Sequence, residues 1–245
     1  MVKEKDVSKI LGNIIIYDTA EAKGNGDAKI DEGKVVKVVL GKDESVIASP
    51  TVQFPLSQFK NDITTISAGD NSIQSGFHRM GAVNLSGTVK IASRMGECKD
   101  SPKGGPLYIY ADSLTLGDAT LTFDTKGDPV YFFVKGEIEI RKSRVNADRD
   151  PRDLLLYSLG SSASPASNSQ DEWVSFSPTV KITENSTARF LLLAPSSDVQ
   201  ISSSQLLGSF IGGRILISES SEVAFPKDTL GKLKDVAIIM SWEEK

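Results

Sequence analysis

Between Val180 and Phe225 one short pattern occurs three times, and it leaves the chain few ways to fold. The tripeptides Val180-Lys181-Ile182, Val199-Gln200-Ile201 and Ile215-Leu216-Ile217 begin 19 and 16 residues apart (199 − 180 and 215 − 199). Each is followed by a polar corner rich in Ser, Thr, Glu or Asn and then by a second apolar run. Those runs end at Phe190, Phe210 and Phe225. Alternating apolar residues face one side of a strand. A unit this short cannot bury that face alone, so successive units must stack, which is the logic of a β-solenoid. The pattern predicts an inner set of Val180, Ile182, Phe190, Leu192, Val199, Ile201, Phe210, Ile215, Ile217, Val223 and Phe225.

The same grammar extends upstream. Ala82–Ile91 alternates, Leu107–Tyr110 follows a loop through Cys98 to Gly105, and units begin near Leu114, Ile138, Val180, Val199 and Ile215. The runs Val130–Val134 (VYFFV), Leu154–Tyr157 (LLLY) and Phe190–Leu193 (FLLL) are nearly continuous in apolar residues, as expected of strands covered on both faces. One side of the stack is therefore expected to be covered, by an N-terminal element or by another subunit. Ser161–Gln170 is a polar, low-complexity insertion that reads as a protruding loop. Met95–Gly105 and Asp148–Trp173 are the interruptions where any function is to be sought.

The ends differ in style. Val2–Leu11 suits a short amphipathic helix, Ile14–Tyr17 and Val35–Leu40 read as strands, and Val46–Ala48 as a third. Ala22–Asp27 is turn-forming, and Pro50 and Pro55 discourage regular sheet in the passage to Asp70. Residues 1–50 are thus expected to form a small antiparallel meander, completed by the apolar strand Asp235–Trp242 within residues 235–245. Residues 51–234 form the solenoid domain. The fold class is all-β.

Composition removes several classes of function. A chain of 245 residues can bury a full core. Its 28 basic and 32 acidic residues, net −4, argue against nucleic acid or an anionic membrane as principal partner. The single cysteine, Cys98, excludes an intrachain disulfide framework and a cysteine-based metal cluster. No run of 18 apolar residues occurs, so no helix here is expected to span a bilayer. Met1–Asp6 carries no apolar signal region, which predicts a cytosolic protein or a piece of a longer one.

Catalytic signals are weak. A Ser-His-Asp triad would have to use His78, the only histidine, and a histidine beside an aromatic such as Phe77 is more often a packing residue. Solenoid lyases and glycosidases line a groove with carboxylates from successive units. The candidates here are Asp148-Arg149-Asp150 with Arg152-Asp153, and Glu137 and Glu139 with Arg141. Alternation turns the second group outward together, as ordinary charge pairing between units. Gly24-Asn25-Gly26-Asp27 with Asp31, or Asp148 with Asp150, falls short of the six to eight oxygen ligands that calcium needs. The Gly-x-Gly at Gly24 lacks the Lys-Ser/Thr of a phosphate loop. The glycosylation sequons at Asn84 and Asn185 fall inside units and read as chance. Ser202, Ser203, Ser204, Ser218, Ser220, Ser221 and Thr183 are expected on solvated corners. No catalytic, cofactor-binding or metal residue is assigned.

Several short motifs, in order, resemble a known domain: Val134-Lys135-Gly136, Ala194-Pro195, Gly208, Ile211-Gly212 and Phe225–Leu230. Over roughly Gly76–Leu233 the chain is similar to the β-solenoid domain of PilX-type and minor-pilin-like proteins of type IV pilus systems. Ser241-Trp242-Glu243 resembles the closing strand of such proteins. The long apolar N-terminal helix of pilins has no counterpart here. The resemblance implies a right-handed parallel solenoid packed with a small pilin-like sheet. It also implies an extracellular, non-enzymatic structural or adhesive module on a cell surface or pilus. Its partners would be other pilus or cell-envelope subunits and surface glycans, with no membrane contact by this segment. No active-site residue is carried over. The alternatives are a polysaccharide-active β-helix enzyme and a self-polymerising cytoskeletal solenoid.

Overall fold

The computed structural model describes Phe59 and residues 65–96, 100–160 and 177–224, together with the backbone of four short strands nearer the N-terminus. In chain order the strands are β1 (Lys9–Leu11), β2 (Ile14–Tyr17), β3 (Lys29–Asp31), β4 (Val35–Val38), β5 (Gly69–Gln74), β6 (Gly76–Arg94), β7 (Leu107–Asp124) and β8 (Val130–Val134). They continue as β9 (Ile138–Arg141), β10 (Arg144–Val145), β11 (Leu154–Ser158), β12 (Val180–Thr183), β13 (Thr187–Ser202), β14 (Gln205–Ser218) and β15 (Glu222–Ala224). Among the described residues there is no α-helix, and the fold is all-β.

All the pairings among these strands are parallel. Parallel neighbours need a crossover between them, so no two of these pairs are joined by a tight hairpin. Strand β7 is long enough to meet three short strands in succession. Its Leu107–Ala111 pairs with β8, Leu114–Gly117 with β9, and Thr120–Leu121 with β10. Strand β13 does the same through Thr187–Ala188 with β10, Leu191–Leu193 with β11 and Val199–Ile201 with β12. The pairings therefore close into a six-stranded parallel ring, β7–β8–β11–β13–β12–β9 and back to β7, from which β6 and β14 extend the stack on either side.

Register turns the sequence pattern into columns. Val83, Leu114, Ile138, Val180, Val199 and Ile215 lie in one column, and Leu85, Leu116, Ile140, Ile182, Ile201 and Ile217 in the next inward one. Every unit start read from the sequence thus falls in a single file. A third column runs Val89, Leu121, Val145, Ala188, Leu206, Val223. Ile138, Ile140, Val180, Ile182, Phe190, Leu192, Val199 and Ile201 are fully buried. Each such side chain contributes roughly 1.5–3 kcal/mol, an upper figure because real unfolded chains already bury some surface. Phe210, Ile215 and Ile217 pack against this core while half-buried, and Phe225 lies outside the described residues.

The corners have a chemistry of their own. Asp118, Lys142, Asn185, Ser203 and Ser220 hold left-handed backbone, with φ from 47° to 61°, each one residue before Ala119, Ser143, Ser186, Ser204 and Ser221. Such a conformation costs a non-glycine residue of the order of 1–2 kcal/mol. Hydroxyl bonds offset it. Ser186 Oγ donates to Thr183 O (2.7 Å), Ser204 Oγ to Ser202 O (2.8 Å) and Ser143 Oγ to Arg141 O (2.7 Å). Between tiers, Ala119 N donates to Ser143 Oγ (3.1 Å) and Ser143 N to Ser186 Oγ (3.2 Å). Ser202, Ser204 and Ser221, expected on solvated corners, are therefore buried. At these corners the left-handed residue, Ser203 or Ser220, is turned toward water, and the serines beside it fold inward. Ser203, Ser218, Ser220 and Thr183 do retain exposure.

The N-terminal expectations need correction. Lys9–Leu11 is strand, not the end of a helix. The strands there do not form an antiparallel meander: β1 pairs in parallel with β15 and with β3, and β2 with β4. The third column consequently runs on through Ile10 and Ile30. The free edge left by β15 offers a template of fixed direction, and a strand that adds in the register of the stack must lie parallel to it. Residues 2–8, Val46–Ala48, Ser161–Gln170 and Asp235–Trp242 lie outside the described residues.

Candidate functional site

Among the described residues three places gather polar or aromatic side chains away from the core: the corner at 146–153, the group around Asp124, and the outer face of β7, β8 and β11.

The corner contains the carboxylates singled out from the sequence. Asn146 adopts φ 52° and is buried, and its Nδ2 donates to Asp150 O (3.0 Å) and to Arg189 O of the next tier (2.9 Å). That amide pins a short 3-10 turn, Pro151–Asp153, whose N-cap is Asp150. Asp150 Oδ1 accepts from Arg152 N (2.9 Å) and Nε (2.7 Å), and its Oδ2 from Arg152 Nη2. Asp148 points to water and meets Arg144 at 3.6 Å, with side-chain exposures of 85 % and 58 %. A surface pair of this kind is worth little. Asp153 is pushed above the ordinary carboxylate range, first by burial and then by the charge of Asp150. One raised and one charged carboxyl is the combination glycosidases use. Here, however, the oxygens of Asp150 are spent on capping its own turn.

The other predicted candidates do not converge on this corner. Glu137, Glu139 and Arg141 lie on or beside β9 and face outward as alternation requires, with Glu139 in register between Thr115 and Lys181. His78 sits in the first tier beside Ile109, and its Nε2 donates to the Gln74 carbonyl. Asn84 and Asn185 are both exposed, the first on β6 and the second on a corner. Gly24–Asp27 and Cys98 lie outside the described residues. Among the described residues no group of three or more His, Cys, Asp or Glu side chains could hold a metal ion.

A cluster that sequence spacing did not signal surrounds Asp124 at the end of β7. Lys103 Nζ lies 2.8 Å from its Oδ2, Lys90 Nζ 3.7 Å, and Lys126 Nζ 3.6 Å from Oδ1. Its carboxyl is held below the ordinary range, chiefly by the hydrogen bond from Lys103. Nearby, Gly105 N donates to Asp128 Oδ2 (2.6 Å), Gly104 N to Ser93 O (3.1 Å) and Met95 N to Pro102 O (3.0 Å). The described part of this interruption, residues 95–96 and 100–105, is thus fastened back onto the stack, and the Asp124 group serves as one of its clasps.

The outer face is aromatic. Phe77, Tyr108 and Tyr131 stack in successive tiers, with ring centroids 4.5 and 4.8 Å apart. Arg79 lies 6.0 Å from the Tyr110 ring centroid. All residues of β8 and β11 are buried, as their continuous apolar runs predict. Phe59 is what the sequence reading missed: its ring lies 5.2 Å from Phe77, 5.7 Å from Tyr110 and 6.3 Å from Phe133. An aromatic in a sequence without period-two alternation carries no periodic signal. Burial raises the phenols of Tyr108, Tyr110, Tyr131 and Tyr157 above their usual pKa.

Geometrically this chain offers a rigid sheet surface, a self-capped corner and a lysine clasp, and in none of the three do acid, base and nucleophile meet. No family model, curated protein or solved structure matches the chain.

Proposed function

We propose that the chain is a non-enzymatic scaffold: a right-handed parallel β-solenoid that presents a rigid lateral surface for attachment or assembly at a cell surface or pilus. Its partners in this reading are other pilus or envelope subunits and surface glycans. The observation that carries it is the unbroken register of the column from Val83 to Ile215. A structure whose inner positions are spent on stacking, and whose corner carboxylate Asp150 is spent on capping its own turn, is organised for stiffness. The hand follows from the strong preference of parallel crossovers for the right-handed sense. The enzyme alternative is weakened by the Arg152 contacts to Asp150.

The test is retention of the purified protein on isolated pilus filaments and on a glycan array, with saccharide turnover assayed in parallel. The scaffold reading expects retention on one surface and no turnover. Retention on neither would sink it, and so would turnover that Asp150→Asn or Asp153→Asn abolishes.

A further inference from the structure

Around Asp124 the charges do not balance. Three ammonium groups approach one carboxylate: Lys103 Nζ at 2.8 Å, Lys126 Nζ at 3.6 Å and Lys90 Nζ at 3.7 Å. Only the first distance is that of a charge-assisted hydrogen bond, about 2.7–2.9 Å. Among the described residues no other carboxylate comes within ion-pair reach of these lysines. Asp70, in register with Lys90, makes no ion pair with it, and Asp128 turns its Oδ2 to Gly105 N at 2.6 Å. The spot therefore holds two positive charges in excess (3 − 1), on a chain whose net charge is −4. Like charges this close repel one another, and an oxyanion placed among them relieves the repulsion.

The fold holds the three lysines in place. Lys90 of β6 is in register with Thr122 of β7, and both face outward, flanked along their strands by the buried Val89, Ile91, Leu121 and Phe123. Lys103 is bridged to Arg94. Lys126 takes φ 57° in the turn after β7, which Asp128 N closes by donating to Thr125 O at 3.2 Å. The Asp124 side chain is 13 % exposed and the lysine side chains are 41–61 % exposed. The carboxylate thus stands behind, and the ammonium groups stand in front of it, open to water. Each ammonium carries three N–H donors, roughly nine in all, against about four acceptor sites on the carboxylate. At physiological ionic strength charges more than about 8 Å away are largely screened. The local excess therefore governs what docks here, while the acidic remainder of the chain disfavours a long polyanion.

We propose that Lys90, Lys103 and Lys126, with the Thr122 hydroxyl beside them, form a seat for one anionic group of a glycan, a sulfate ester or a uronate carboxylate. This rests on the scaffold reading and names the class of surface glycan it would retain. Asp124 positions the lysines from behind. Lys103 is also the clasp of its loop, so Lys90 and Lys126 are the residues that separate binding from structure.

The test is binding to immobilised dextran sulfate, carboxymethyl-dextran and unmodified dextran, one backbone bearing a sulfate ester, a carboxylate or no charge. Retention is expected on at least one acidic matrix, weakening as salt is raised, with none on dextran. Lys90→Gln combined with Lys126→Gln should lower the affinity about ten-fold, with the melting temperature unchanged. Lys90→Arg combined with Lys126→Arg should keep it. Lys135→Gln combined with Lys142→Gln changes the net charge equally at exposed residues elsewhere and should lower the affinity less than about two-fold. Equal losses from the two Gln pairs would mean attraction by net charge and would overturn the seat. Failure of both acidic matrices to retain the protein would overturn it as well. Should the seat fall while filaments or neutral glycans still retain the protein, the scaffold reading stands without it; retention nowhere removes both.

Discussion

Ser186→Ala tests whether the corners hold the tiers together. Ser186 is fully buried, donates to Thr183 O at 2.7 Å and accepts from Ser143 N, itself buried, at 3.2 Å. Alanine nearly preserves the volume, so no cavity is expected. The substitution removes one hydroxyl bond, worth about 0.5–1.5 kcal/mol net, and strands a buried N–H at about 1–3 kcal/mol. Because neighbouring terms do not add fully, the expected loss is about 2–3 kcal/mol. For a chain of this size that is a fall in Tm of roughly 5–10 °C. The comparator is Ser203→Ala, where the hydroxyl reaches Glu219 at an exposed site (3.2 Å) and a change within about 0.5 kcal/mol is expected. Urea unfolding followed by circular dichroism would measure both, and a cycle with Ser143→Ala should show a coupling above about 0.5 kcal/mol. If Ser186→Ala proves as mild as Ser203→Ala, the hydroxyls are solvated in effect and the corner argument fails.

Gly208 pairs with Phe190, and a Cβ there would lie well inside contact of Phe190 O and 2.9 Å from its carbonyl carbon. Gly208→Ala should therefore cost at least the 1–3 kcal/mol or so typical of overpacking, read as a lower urea midpoint, and an unchanged midpoint would contradict the packing of β13 on β14. The lowered carboxyl of Asp124 contributes stability that is present above the unfolded value near 3.9 and lost as pH falls through its lower folded value. Asp124→Asn should flatten that acid limb of a melting-temperature profile by about 1 kcal/mol or less, since the lysines are well exposed. The raised phenols of Tyr108, Tyr131 and Tyr157 contribute stability that is present below about pH 10 and lost as pH rises through their higher folded values. Tyrosinate absorbance for these side chains should appear together with loss of near-ultraviolet dichroism, and ionisation near 10 with tertiary structure intact would refute their burial.

The inner columns were legible because period-two alternation and regular unit length are local properties. Val83, Leu114, Ile138, Val180, Val199 and Ile215 need only be recognised as equivalent to fall into line. Strand direction is not local. Ile14–Tyr17 and Val35–Val38 read as strands whichever way they run, and the available edge at β15 decides the outcome for β1. Ser202, Ser204 and Ser221 were misplaced because the left-handed residues beside them are Ser203 and Ser220, which carry none of the Gly or Asn signature of that conformation. Lys90 and Lys103 meet Asp124 through stacking distances, which no spacing along the chain encodes.

The docking of β1 on β15 carries a consequence for synthesis. Neighbouring tiers such as Val199 and Ile215 close loops of 16 residues (215 − 199), whereas Ile10 and Val223 close one of 213 (223 − 10). Loop closure of the short kind costs about 2.5 kcal/mol and of the long kind about 5 kcal/mol. Tiers can therefore add one by one behind the ribosome, each templated by the last. The strands translated first must wait, unpaired with their final neighbour, until residue 222 has emerged. The earliest strands made are among the last to find their place, and until then the growing end of the stack stays open.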